Sequence, residues 1–284
     1  KFIDDQEANR PDDPFFLHAS YFPPHHPYMP VKKYADMYLE NMDQIDLPPN
    51  FSYEALQEWC GKSRMRPDSL SVEDVKYFLA HYFGFVSQLD AVVGNLIDGM
   101  KERGLLKNTI VVFTSDHGDN IGEHGKFYKG NMLEGSVGVP LIIHWPDIKL
   151  KERRIIEDNV SHIDLVPTLL KAAGIKPPDY MAGRNMLPLM KGSENWKDHP
   201  VYSEYYTKDP YPSQMMLRKG DFKLTYNTQN EEEEVVTRLY NLRKDPWEMN
   251  DLSKNPDYFP VYSEMCHELM EDYKNEIIQY APDT

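Results

Sequence analysis

Between Ser71 and Thr114 the chain carries a long helical period that runs through one short link into a β-branched strand. Val75, Leu79, Tyr82, Val86, Leu89, Val93, Leu96 and Met100 recur at intervals of three or four, which marks one face of an α-helix. Ser71 followed by Asp74 has the form of a capping box, and Gly104 is a natural stop. After LLKN, the run TIVVFT (109–114) has the composition of a strand buried in a parallel sheet. The alternation continues: VPLIIHW (139–145) predicts a second buried strand, and 164–173 predicts a helix ended by Gly174. The chain is therefore α/β.

Upstream, FFLHASY (15–21) predicts a buried strand entering the rigid loop FPPHHPYMP, which holds two histidines. Residues 34–66 are irregular and dotted with proline, and predict a long surface excursion with short helical pieces. After Trp196 the character changes. The runs VYSEYY, QMMLRKG, DFKLTYN and TRLYNL are separated by turn residues and followed by a helical stretch over 260–280, which predicts a smaller C-terminal α+β domain with an antiparallel sheet. The expected division is 1–195 and 196–284. Glu231 to Glu234 predict a solvated hairpin tip, because four adjacent carboxylates repel.

At 284 residues the chain is long enough to bury a substantial core, and the formal charge of −15 argues against a general nucleic-acid binder, since phosphate backbones are held by excess lysine and arginine. No apolar run reaches the roughly 20 residues of a bilayer span, so neither nucleic acid nor membrane is an expected partner. Two cysteines exclude a cysteine-rich metal site. The first residue, Lys1, lies in a polar stretch without an initiator methionine or secretion signal, which reads as a cut inside a longer protein. A soluble protein is expected, and its compartment, cytoplasmic or periplasmic and secreted, stays open.

Ligands of open α/β sheets gather at the carboxyl ends of strands, and TIVVFT ends directly in SDHGDNIGEHG. Asp116 and His117 follow the strand at once and offer a carboxylate and an imidazole to a cation. They are only two ligands, whereas Ca²⁺ takes about six to eight oxygens. A polar turn capped by Asp116 fits the same residues.

The string TIVVFTSDHGDNIGEHGKFYKGNMLEGSVGVPLIIHWP resembles the sulfatase family of the alkaline-phosphatase superfamily over its whole length. Four further stretches are similar to the family in the same order: FPPHHPYMP, YFGFVSQLDAVVGNLID, SHIDLVPTLLKAAGI and LYNLRKDPWEMNDLS. The resemblance implies an alkaline-phosphatase-like sandwich of helices around a mostly parallel sheet, present here in part. It implies hydrolysis of a sulfate ester on a sulfated small molecule or carbohydrate. By that resemblance Asp116 and His117 bind one divalent cation, usually Ca²⁺, with Mg²⁺, Mn²⁺ or Zn²⁺ as alternatives. Lys129 and His25 contact the sulfate, His25 on the leaving-group side. Negative charge grows on the bridging oxygen as the S–O bond breaks, and Lys129, a protonated His25 and the metal could each stabilise it.

Two look-alikes are set aside. Cys60-Gly61-Lys62-Ser63-Arg64 superficially matches the C-x-P-S-R signature whose cysteine becomes formylglycine, but it lacks the proline and follows the histidine loop instead of preceding it. Asp4-Asp5 resembles the paired aspartates of the family's metal site, without room for the intervening core. Nucleophile, remaining ligands and partner half are thus expected in an N-terminal segment outside this sequence, and the isolated chain is expected to be inactive. His124 and Asp119 are expected to orient the loop, and His26 occupies a variable place. Two other readings remain: a phosphonate monoester or phosphodiester hydrolase of the same superfamily, and a non-catalytic partial protein.

Overall fold

The computed structural model describes residues 1–10, 12–61, 68–148, 154–193, 196, 199–205, 214–227 and 236–280, with side chains to 271. In chain order the helices and strands are α1 (Phe2–Asn9), α2 (Lys32–Leu39), α3 (Tyr53–Gly61), α4 (Val72–Glu102), β1 (Val111–Thr114), β2 (Asn120–Ile121), β3 (Phe127–Tyr128), α5 (Glu134–Val137), β4 (Leu141–His144), α6 (Leu165–Ala172), α7 (Leu187–Met190), β5 (Val201–Tyr205), β6 (Gln214–Lys219), β7 (Phe222–Asn227), β8 (Val236–Asn241) and α8 (Phe259–Tyr280).

The long helix starts where its cap predicts. Ser71 Oγ accepts the Asp74 N–H, and the Asp74 carboxylate accepts the Ser71 N–H at 2.8 Å. Gly104, at φ 72°, turns the chain out of the helix toward β1. Val75 and Leu79 of α4 are fully or almost fully buried, and they pack with Leu56 and Cys60 of α3, Leu70 and Phe127 in the first core. This corrects the expected surface excursion over 34–66. Its apolar residues lie four apart on α3, and that face closes over α4. Truncating the fully buried Leu56 to alanine is expected to cost about 2–5 kcal/mol.

Two other expectations need correcting. FFLHASY forms no strand, and Phe16 (81% exposed) stands in solvent, because no described strand offers the run a ladder. TIVVFT and VPLIIHW do form strands, β1 and β4, but they pair antiparallel with each other, and Ile142 is 63% exposed. All pairings among the described residues are antiparallel, so the parallel neighbours expected of the larger sheet are not among them.

The C-terminal runs fold as predicted. β5, β6, β7 and β8 form a four-stranded antiparallel sheet in sequence order. Met215, Leu217, Leu224 and Leu239 meet Met265 and Leu269, one turn apart on α8, in a second core. Glu231 to Glu234 lie outside the described residues. Among the described residues no helix is long and apolar enough to cross a membrane.

Candidate active site

The segment after β1 folds back tightly. The Gly118 N–H donates to the Ser136 carbonyl at 2.7 Å, and a Cβ on Gly118 would stand 2.2 Å from the Gly135 carbonyl oxygen. Only glycine permits this approach, which presses the strand-end turn against α5. Asn120, fully buried, then donates Nδ2 to the Tyr128 carbonyl at 2.6 Å and closes the β2–β3 hairpin. Tyr128 sits in left-handed backbone at φ 70°, immediately before Lys129.

The four residues predicted from sequence, on three separate stretches, gather here. Lys129 Nζ donates to His25 Nε2 at 2.5 Å, and His25 Nδ1 donates to the His26 carbonyl at 2.6 Å. A carbonyl only accepts, so Nδ1 carries a proton and Nε2 presents its lone pair to the ammonium. The His25 ring also lies 6.3 Å from that of His117.

His117 is oriented by its own backbone. Nδ1 donates to the Gly118 carbonyl at 2.7 Å, which leaves Nε2 as the electron-pair donor, 3.6 Å from Asp116 Oδ2. The Asp116 side chain is 86% exposed. Partial desolvation raises its pKa, but the electrostatic interaction with His117, the His117 N–H and the Ser115 hydroxyl outweigh that effect and hold the carboxyl below its usual value. A divalent cation would find here a carboxylate oxygen and an imidazole nitrogen with their outward sides open, so the donor chemistry fits one edge of a coordination shell. No group of three or more His, Cys, Asp or Glu that could hold a metal occurs among the described residues.

Residues outside that set brace the loop. Tyr28 donates its hydroxyl to Asp119 Oδ2 at 2.8 Å, tying the histidine loop to the strand-end turn. Burial, and next the Asp119 charge, raise the Tyr28 pKa, while burial raises that of Asp119 against the opposing Tyr28 hydrogen bond. His26 stacks on His25 at 4.2 Å and meets Tyr128 at 4.2 Å. Burial, then His25 and Lys129, push its pKa down. His124 contacts the Trp247 carbonyl through Nε2 at 3.1 Å. Tyr28 and Tyr128 were not singled out from sequence; their only local signal was adjacency to His26-Pro27 and Lys129.

The look-alikes lie elsewhere. Cys60 is 2% exposed inside the first core, where no substrate reaches, and 62–67 lie outside the described residues. Asp4 pairs with Arg103 and the N-terminal amine, and Asp5 with Arg10, all on an exposed surface.

The sulfatase family model matches residues 1–175, well over half of the chain. The chain belongs to the sulfatase family. A second model, of the C-terminal part of N-sulphoglucosamine sulphohydrolase, matches residues 122–275. An arylsulfatase of Clostridium perfringens is 30% identical over 90% of this chain and 53% of its own length. A choline-sulfatase of Rhizobium meliloti is 32% identical over 89% of this chain and 48% of its own. The chain thus spans about half the length of these curated relatives. A solved phosphonate monoester hydrolase of Silicibacter pomeroyi superposes with a TM-score of 0.78 at 21% identity, covering 96% of this sulfatase-family chain and 59% of that one. At that identity the likeness is one of fold, the alkaline-phosphatase-like fold expected from sequence.

Proposed function

We propose that the protein hydrolyses a sulfate ester, with Asp116 and His117 holding one divalent cation, Ca²⁺ by family resemblance, and with Lys129 and His25 meeting the sulfate. The observation that carries this reading is the meeting of Lys129 with His25 at 2.5 Å beside the outward-facing Asp116 and His117 pair. When bound, the cation supplies polarisation of the nonbridging oxygens.

The chain's own residues do the rest. Lys129 brings a positive charge to the oxygen that becomes anionic as the S–O bond breaks. His25 holds Nε2 against that ammonium, so a proton can pass between Nζ and Nε2 on its way to the leaving oxygen. The His26 carbonyl fixes the tautomer, and the half-buried Tyr28–Asp119 hydrogen bond keeps the loop in place. The nucleophile and the remaining metal ligands belong to other residues, since no cysteine near the site is accessible among the described residues. A partner segment completing the site is part of the same proposal, as is inactivity of this stretch alone. The substrate class is a sulfated small molecule or sugar, in keeping with the two relatives and the N-sulphoglucosamine sulphohydrolase match.

Phosphonate monoester hydrolysis is the second reading, favoured by the structural likeness at a TM-score of 0.78. The sulfate reading stands ahead of it because the relatives at 30% and 32% identity are sulfatases. The test is release of nitrophenol from nitrophenyl sulfate by the natural protein and by its Lys129→Ala and His25→Ala variants. Turnover that collapses in both variants supports the assignment, whereas variants as active as the parent would remove Lys129 and His25 from it.

A further inference from the structure

The candidate site is gripped from the C-terminal sheet by a fully buried ammonium. Lys223 of β7 is 0% exposed, and its Nζ lies 2.8 Å from Glu134 Oε1 and 2.8 Å from Glu248 Oε1. Glu248 is 3% exposed, sits in left-handed backbone at φ 55°, and accepts the Glu134 N–H through Oε2 at 2.8 Å. Arg218 of β6 adds a second cation, 3.5 Å from Glu134 Oε2, so the cluster holds two positive and two negative groups. A buried ammonium survives only when paired in this way.

What the cluster grips is α5, a turn that touches both halves of the site. On one side the Ser136 carbonyl of α5 receives the Gly118 N–H at 2.7 Å, next to His117. On the other, a Cβ on Gly135 would meet Asn120 Oδ1 at 2.8 Å, and Asn120 holds the Tyr128 carbonyl just before Lys129. We propose that Lys223, Glu134 and Glu248 are positioning residues that set the spacing between His117 and Lys129, so that the C-terminal sheet controls the hydrolytic geometry without touching substrate. This rests on the proposed hydrolase reading for its catalytic consequence and on the geometry alone for its structural one.

The experiment compares Glu134→Gln, which keeps the side chain's shape and removes its charge, with Lys219→Met. Lys219 pairs with Glu264 and Glu268 of α8 at 2.8 and 2.7 Å, and serves as a control for loss of an ion pair on the same sheet. In the natural protein carrying ¹⁵N-histidine, the His25 and His117 ring nitrogen resonances are expected to move in Glu134→Gln and to stay in Lys219→Met. With nitrophenyl sulfate, kcat in Glu134→Gln is expected to fall about 10- to 100-fold with KM changed less than about threefold. Ring resonances that match the parent's in folded Glu134→Gln overturn the proposal, whatever happens to the melting temperature. Should that variant fail to fold, Glu248→Gln is read by the same criteria. The resonances do not depend on turnover, so an inactive parent would count against the hydrolase reading alone.

Discussion

Gly118→Ala isolates the contact on which the site's shape depends. The added Cβ would stand 2.2 Å from the Gly135 carbonyl oxygen and 3.0 Å from that of Gly138, both backbone atoms of the turn that also anchors the Gly118 N–H. Restoring an ordinary contact requires a displacement of about 1 Å at the residue that follows His117. A misplacement of that size costs roughly 100-fold in rate when it falls on groups that must meet a reacting centre. Overpacking of a rigid turn adds about 1–3 kcal/mol of destabilisation. The assay is kcat for nitrophenyl sulfate together with urea denaturation of the same preparation. A rate within about threefold of the parent and an unchanged midpoint would refute the argument that the turn is set by this close approach.

Other expected outcomes concern separate groups. Lys129→Ala should lower kcat by about 100- to 1,000-fold, the loss typical of one preorganised donor facing a developing anion, in stopped or continuous nitrophenol assays. Asp116→Asn should weaken divalent-cation binding at least about tenfold by calorimetry, and parent-like affinity would remove Asp116 from the metal site. Asp164, 2% exposed, accepts the Arg184 and Ser161 N–H groups at 2.6 and 3.0 Å, so Asp164→Ala should cost about 3 kcal/mol in urea denaturation. Burial raises the Glu123 pKa against the opposing Ile121 N–H bond, so its charged form costs stability above the folded pKa, and that cost disappears below the unfolded value near about 4.3. Glu123→Gln should therefore melt higher than the parent at pH 7 and level with it near pH 4, and a lower melting point at pH 7 would contradict the sign.

What the sequence disclosed and what it withheld divide along the range of the forces involved. The Ser71–Asp74 cap, the α4 period, the Gly104 stop and the four C-terminal strands are set by neighbours a few residues apart, so their patterns are visible in one dimension. The partnership of FFLHASY and the direction of β1 against β4 depend on which strands stand alongside, and no local pattern carries that information. The 34–66 stretch misled because its helices are short and interrupted at Pro48-Pro49, while Leu56 and Cys60, one helical turn apart, do the packing. At the site, Asp116, His117, Lys129 and His25 were proposed through motif resemblance, and the geometry brings them together. Lys223 was invisible for a physical reason. A lysine alternating with Phe222 and Leu224 reads as the solvent side of a strand, and here that side is covered by α5 and Glu248.

The most direct measurement is release of nitrophenol by the natural protein from nitrophenyl sulfate and from a nitrophenyl phosphodiester, each with and without a chelator. The account predicts turnover of the sulfate well above that of the diester, abolished by the chelator and restored by Ca²⁺. Preference for the diester would transfer the site to phosphorus chemistry, and sulfate turnover indifferent to chelator would contradict the role given to Asp116 and His117.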